Sequence, residues 1–271
     1  MKTILVATDF SPAALNATNY AAEMALAINA DLYLLHVFQT PGTCLQVPIP
    51  VLLDEMIQDV KHEMKKLKED LMHKSAGKLN IKAEIKMDHF YAELKAVCGR
   101  IKPYCVVMGS QGTTAAERFA FGGHTVYAMK HLEWPLITVP TFTTFSSVKK
   151  IALACDFDAP INTMPLNEIK TLVNDFGATL FVLNTGKEEE FNPEIVFKSR
   201  LLEQELGVIK PHYNFIVNPD IDEGITRFVE DNHVDLLIVL PKHHNLLHNI
   251  LHKSHTKQMV LHSSIPVLAL H

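Results

Sequence analysis

The stretch Thr3-Ile4-Leu5-Val6-Ala7-Thr8-Asp9-Phe10-Ser11-Pro12 decides the fold. Residues 3–8 form a short apolar run without polar alternation, which predicts a strand covered on both faces, as in a parallel sheet. Asp9 stops the run. Ser11-Pro12 then predicts a helix start, because proline at the first helical position lacks only an N–H that the helix would leave unpaired. An Ala-rich helix fits residues 13–29.

Working outward, Leu32-Tyr33-Leu34-Leu35-His36-Val37 predicts a second strand, followed by a loop with Pro41, Gly42, Pro48 and Pro50. Residues 51–75 predict a long charged helix, with Met56, Val60, Met64, Leu67 and Leu71 at helical spacing. A strand at 80–87, a helix at 90–101, a strand at 104–109, a glycine-containing loop, a helix from about 123 to 132 and a strand at 136–140 complete the first half. The second half repeats the order. Lys149 to Cys155 echoes the first strand, each being followed by an aspartate, Asp9 or Asp156, and Leu180 to Asn184 echoes Leu32 to His36. A gapless shift of 131 positions lays Val106-Val107-Met108 on Leu237-Ile238-Val239 and Gly123-His124-Thr125 on Ser254-His255-Thr256. The same shift lays Trp134-Pro135 on Ile265-Pro266.

These echoes predict a tandem duplication, with domains at 1–143 and 148–271 and a polar junction near Thr141–Ser147. Each half is expected to be an open, mostly parallel five-stranded sheet with helices on both faces. Ligands of such sheets sit beyond the carboxyl ends of the strands, where strand order reverses. That expectation singles out Asp9, Val37 and Gly109 in the first half, and Asp156, Asn184 and Leu240 in the second.

Three segments carry a family resemblance: Ala7-Thr8-Asp9-Phe10-Ser11, Leu34-Leu35-His36-Val37 and the loop from Gly109 to Thr125. Together they resemble the universal stress protein (UspA) family, here as a tandem member, over nearly the whole chain. The resemblance implies two Rossmann-like domains of the adenine nucleotide alpha hydrolase-like kind. Nucleotide-binding members carry Gly-x2-Gly-x9-Gly-(Ser/Thr); this chain has Gly109-Ser110-Gln111-Gly112, nine residues, then Gly122-Gly123, so Gly123 stands where a hydroxyl is expected. The resemblance implies a site for ATP or another adenine nucleotide, with Mg allowed beside it. Its lining would be Ala7, Thr8, Asp9, Val37, Met108, Gly109, Gly112, Gly122, Gly123, His124 and Thr125. His124 or Thr125 would supply the hydrogen bond that Gly123 lacks.

Independently of family, glycines allow backbone N–H groups to close around phosphate oxygens, and a helix starting near Gly123 aims its positive end at the same anion. The opposing reading makes Asp9 a helix cap and the glycines plain turn residues.

The aligned positions of the second half are Leu240, His243 and Lys253 in place of Gly109, Gly112 and Gly122, while Ser254 keeps the hydroxyl. Leu240 and Pro241 are unsuited to a bare-backbone cradle, so no nucleotide is expected there. Seven of the fifteen histidines lie between His243 and His271. In a helix, His244, His248 and His252 would share one face and offer imidazoles to a metal. The competing reading is an amphipathic surface segment with Leu246, Leu247, Ile250 and Leu251 turned inward. No structural metal is expected.

Composition excludes other classes. Charged residues make up 20% and the formal net charge is -5, against binding nucleic acid by general phosphate neutralisation. Four scattered cysteines make no disulfide framework. Cys98 and Cys105 are expected to be buried thiols, and His36 a satisfied core or near-pocket histidine rather than a base. The apolar run before Asp9 is too short for a signal-peptide core, and no run reaches the roughly 20 residues that span a bilayer. A cytoplasmic protein is expected. Motifs for a P-loop, a zinc protease or a serine hydrolase are absent from the sequence. Glu117 and Arg118 alone carry charge between Gly109 and Gly123, so slow ATP hydrolysis is the most the loop supports. A nucleotide-binding stress protein and a ligand-free tandem scaffold both fit these features. The family resemblance implies that the last strands, 136–140 and 265–270, pair edge to edge within the chain as an internal pseudo-dimer, which would hide two sheet edges, and it allows a homo-oligomer of whole chains.

Overall fold

The computed structural model describes residues 1–38, 49–110, 124–155, 157, 160–186, 193–241 and 263–271. The first half contributes strands β1 (Thr3–Ala7), β2 (Asp31–Phe38), β3 (Ile81–Met87), β4 (Cys105–Gly109) and β5 (Leu136–Val139). The second contributes β6 (Lys150–Ala154), β7 (Thr179–Gly186), β8 (His212–Val217), β9 (Leu236–Val239) and β10 (Val267–Ala269). Helices α1 (Pro12–Ala27), α2 (Ile49–Lys74), α3 (Phe90–Ile101) and α4 (helical over 124–131) lie in the first half. In the second are α5 (Leu166–Phe176), α6 (Pro193–Leu206) and α7 (Ile221–Asp231).

All ten strands join one sheet in the order β3-β2-β1-β4-β5-β10-β9-β6-β7-β8. Every pairing is parallel except β5 with β10, where Thr138, Ile137 and Leu136 face Val267, Leu268 and Ala269 in antiparallel register. The Thr138 hydroxyl donates to the Val267 carbonyl across that joint at 3.3 Å. One face packs against α1, α2, α5 and α6, and the other against α3, α4 and α7. Coverage on both sides explains why the central strands read as unbroken apolar runs: β5, β9 and β10 are buried at every position.

The backbone itself carries the repeat. Phe10 takes a left-handed φ of 62°, and Phe157, 147 positions later, takes 58°. Asn29 and Gly177, each just beyond the first helix of its half, take 52° and 60°. Lys102 and His233, before the fourth strand of each half, take 47° and 51°. Left-handed non-glycine residues are uncommon, so their recurrence at matched positions records a shared chain path.

The junction is more firmly held than its Thr- and Ser-rich composition suggests. The Asn16 side-chain amide donates to the carbonyls of Pro140 and Thr143, each at 3.0 Å, and Phe145 lies edge-on to Tyr20 with ring centres 5.2 Å apart. Lys2 and the Tyr104 hydroxyl both engage the Asp175 carboxylate, tying α5 to the first half.

Cys98, Cys105 and Cys155 are buried and form no disulfide. Burial pushes the Cys98 thiol from its ordinary 9.0 up to about 12, and it raises Cys105 and the phenols of Tyr20 and Tyr104 as well. In the unfolded chain these groups ionise near their ordinary values. Above those values the unfolded state sheds protons that the native state keeps, so stability present at neutral pH is lost as pH rises. The urea midpoint is expected to decline between about pH 9 and pH 10.5. A midpoint unchanged across that window would contradict the burial of these groups.

Candidate functional site

In the order β3-β2-β1-β4-β5, connections leave β1 in opposite directions, so the crevice opens between the carboxyl ends of β1 and β4. The register sets Ile4 beside Cys105 and Val6 beside Val107, which brings the segments after Val6 and Val107 to the same edge of the sheet. Ala7, Thr8, Asp9, Met108 and Gly109 therefore converge there, with Val37 one strand away on β2.

Three polar side chains, those of Thr8, Asp9 and Ser11, hold the turn after β1. Thr8 Oγ1 accepts from the Phe10 N–H at 3.1 Å, Asp9 Oδ1 from the Ser11 N–H at 3.0 Å, and Ser11 Oγ from the Ala14 N–H at 3.3 Å. The cap of α1 is therefore Ser11, not Asp9. Asp9 fixes the residue before the helix and remains exposed at the rim. Thr8 itself is buried, its N–H donating to the Leu35 carbonyl at 2.9 Å.

His36 supports this turn from below. It is buried, and its Nδ1 lies 2.7 Å from the Thr8 carbonyl oxygen. A carbonyl can only accept, so Nδ1 carries the proton. The Phe10 ring stacks on the imidazole with centres 4.6 Å apart. The sequence does not reveal this bond. A signal for it lies in the repeat, because Asn184 at the matched position donates its side-chain amide to the Cys155 carbonyl at 2.8 Å. Imidazole and amide serve one backbone acceptor at the same place in both halves.

Gly109 has a reason that its expected turn role did not supply. A Cβ there would stand 2.8 Å from the Ala13 carbonyl oxygen, so the position is glycine for want of space, and its φ lies outside the left-handed range. Across the crevice, the buried Thr125 hydroxyl donates to the Gly109 carbonyl at 3.3 Å, fastening the first described turn of α4 to the end of β4. His124 is exposed, its ring 5.0 Å from that of Phe90. Met108 is buried in the sheet, so only its backbone is available to a ligand. Gly112, Gly122 and Gly123, with Glu117 and Arg118, lie outside the described residues.

The second half departs from this geometry. There β6 ends at Ala154 and α5 begins only at Leu166, after a 3-10 turn at Ile161–Thr163, whereas α1 follows β1 closely. Leu240 stands where Gly109 would and packs against the core. Asp156, His243, Lys253, Ser254 and the metal candidates His244, His248 and His252 lie outside the described residues. Among the described residues no group of three His, Cys, Asp or Glu side chains is placed to hold a metal ion, and no helix is long and apolar enough to cross a membrane.

Comparison with known proteins identifies the frame. A universal stress protein from Archaeoglobus fulgidus DSM 4304 has a TM-score of 0.74 at 14% identity, covering 99% of this chain and 95% of its own. A protein of unknown function from Pseudomonas aeruginosa PAO1 has a TM-score of 0.63 at 14% identity, over 100% of this chain and 92% of its own. A universal stress protein family protein from Arabidopsis thaliana, determined with AMP bound, is 20% identical and matches 52% of this chain and 92% of its own, with a TM-score of 0.36. No curated protein matches. The model of the universal stress protein family matches residues 1–140 and again 168–271, so this duplicated chain belongs to the universal stress protein family.

Proposed function

We propose that residues 1–143 form a domain that binds an adenine nucleotide in the crevice between β1 and β4, and that residues 148–271 form a degenerate partner domain without that site. The observation that carries this reading is Gly109. It brings bare backbone to the carboxyl end of β4, against the first turn of α1, and Gly112 and Gly122 follow at the spacing of the family's nucleotide loop. Asp9 at the rim and the backbone of Val37 would face the ribose and base, and the glycine loop with the start of α4 would face the phosphates, with Mg allowed beside them. The nucleotide acts as a signal rather than a fuel. It alters how a cytoplasmic stress-response protein, built as an internal pseudo-dimer through β5 and β10, associates with partners, with slow hydrolysis or none.

The packing need for glycine at position 109 favours one competing reading, a tandem scaffold in which the loop holds no ligand. Two measurements separate them: mass spectrometry of small molecules released on denaturing the purified protein, and calorimetric titration of the stripped protein with ATP, ADP and AMP. The expected result is micromolar binding of at least one of the three, weakened roughly tenfold or more in Gly112→Val by loss of backbone hydrogen bonds. No released nucleotide and no binding at millimolar concentration would leave the scaffold reading.

A further inference from the structure

Ile137 and Leu268 lie opposite one another in the β5–β10 register, and a shift of 131 positions carries one onto the other. A pseudo-two-fold axis therefore passes between them, and every place beside this joint has a counterpart across it. The same shift pairs Tyr104, before β4, with Asp235, before β9. Asn29 and Gly177 stand 148 positions apart, as do His36 and Asn184, and that spacing pairs Tyr20 of α1 with Glu168 of α5. One of the two counterpart places is filled. Tyr20 is 4% exposed, and Phe145 packs edge-on against it at 5.2 Å. Burial raises its phenol first, and the nearness of Cys105 and Asp235 raises it further.

The other place is open. A cavity of about 180 Å³ lies between the halves, on the face that carries α1 and α5. Cys105, Ile137, Leu268 and Leu270 make its floor and Leu172 of α5 one wall, none of them more than 4% exposed. Tyr104 forms another wall, held by Lys2 over its ring at 5.2 Å and by its hydroxyl donating to Asp175 at 2.8 Å. Glu168, the counterpart of Tyr20, is exposed at the mouth, and its carboxylate bonds to no described residue. A carboxylate is too costly to bury unpaired, so it cannot fill the space beneath it as a phenol ring does. The chain path keeps the two places unequal. Beyond β5 the chain brings Phe145 over the filled place, whereas beyond β10 His271 turns to the opposite face and bonds to the Met129 carbonyl at 2.8 Å.

We infer that this cavity is a binding site for a small single-ring phenol, seated as the Tyr20 side chain is seated across the axis, with its hydroxyl donating to the Glu168 carboxylate. The counterpart place names the ligand class, because the same joint already accepts a phenol there. Size agrees. A dry cavity of roughly 150 Å³ takes benzene, so one of about 180 Å³ has room for p-cresol, which is the tyrosine side chain alone. An apolar floor with polar groups confined to the mouth is the usual make-up of a small-molecule site, and such sites favour domain boundaries. Both halves line the cavity, so a bound phenol should also hold them together and raise the thermal midpoint. The inference does not depend on nucleotide binding.

Titration of the full chain with p-cresol tests it, read by thermal shift and by nuclear Overhauser effects from the ring protons to protein methyl groups. The expected result is a dissociation constant below about 1 mM, with ring contacts to the methyls of Ile137, Leu172 and Leu268. Glu168→Ala should weaken binding roughly 3- to 10-fold by removing the acceptor. Glu168→Tyr should weaken it by more than about 10-fold, because the new ring takes the ligand's place as Tyr20 does in the close-packed counterpart. Circular dichroism reports whether each variant folds, and if Glu168→Tyr does not, the ring contacts in the parent decide. No binding up to about 10 mM overturns the inference, as do ring contacts to methyls elsewhere. So does unchanged affinity in the folded Glu168 variants.

Discussion

Gly109→Ala is expected to destabilise the fold by about 1–3 kcal/mol, the cost of forcing an extra carbon into a filled site. The added Cβ would stand 2.8 Å from the Ala13 carbonyl oxygen, 2.9 Å from its carbon and 3.2 Å from the Ala14 nitrogen. All three are backbone atoms of the first turn of α1, so no change of rotamer relieves the contact and the helix itself must back away. It is poorly free to do so. Ala17, Ala21 and Ala25 are fully buried under it, Ser11 caps it, and Asn16 and Tyr20 fasten it to residues 140–145. Gly99→Ala is the control. That glycine lies within α3 with nothing within 4 Å of a Cβ, so alanine should be neutral or stabilising by up to about 1 kcal/mol. Urea denaturation of the two variants would read the difference as a shift of midpoint at constant slope. Equal stability of the two would mean that α1 does not press on β4, and the packing explanation for Gly109 would fall.

The parts of this molecule that were legible in sequence are those set by local pattern. Thr3 to Thr8 announced a two-faced strand because burial on both sides removes alternation, and Ser11-Pro12 marked the start of α1 because capping is a local transaction. The position of the candidate edge was legible too, since Ala7, Thr8, Asp9, Val37, Met108 and Gly109 follow from strand ends, and His124 and Thr125 from the start of α4, once the element order is known. What depends on contacts distant in sequence was not. Nothing local marks Phe10 as left-handed, and only Phe157 at the matched position gives it away. Residues 141–147 read as a polar linker because Asn16 and Tyr20, which hold them, act across the fold.

The two halves make opposite choices for one hydrogen bond, and exchanging them gives the sharpest test of how the crevice is supported. His36→Leu is expected to destabilise the protein by about 1–3 kcal/mol, because it leaves the Thr8 carbonyl without its donor in a buried site. His36→Asn should recover most of that loss. Asparagine already performs this task in the second half, where Asn184 donates to the Cys155 carbonyl at 2.8 Å against 2.7 Å for the imidazole. The amide cannot replace the stacking of the imidazole on Phe10, whose ring lies 4.6 Å away, so a residual cost of about 0.5–1.5 kcal/mol is expected to remain. Urea midpoints of the two variants and the parent supply the comparison, with Asn184→Leu as the matching deletion in the other half. The pair also separates scaffold from ligand contact. If the Thr8 carbonyl must be held for Asp9 to stand at the rim, nucleotide affinity should fall in His36→Leu and return in His36→Asn. Equal losses of stability in both variants would show that the position selects the ring against Phe10 and not the bond to Thr8, and the correspondence between His36 and Asn184 would then be one of place alone.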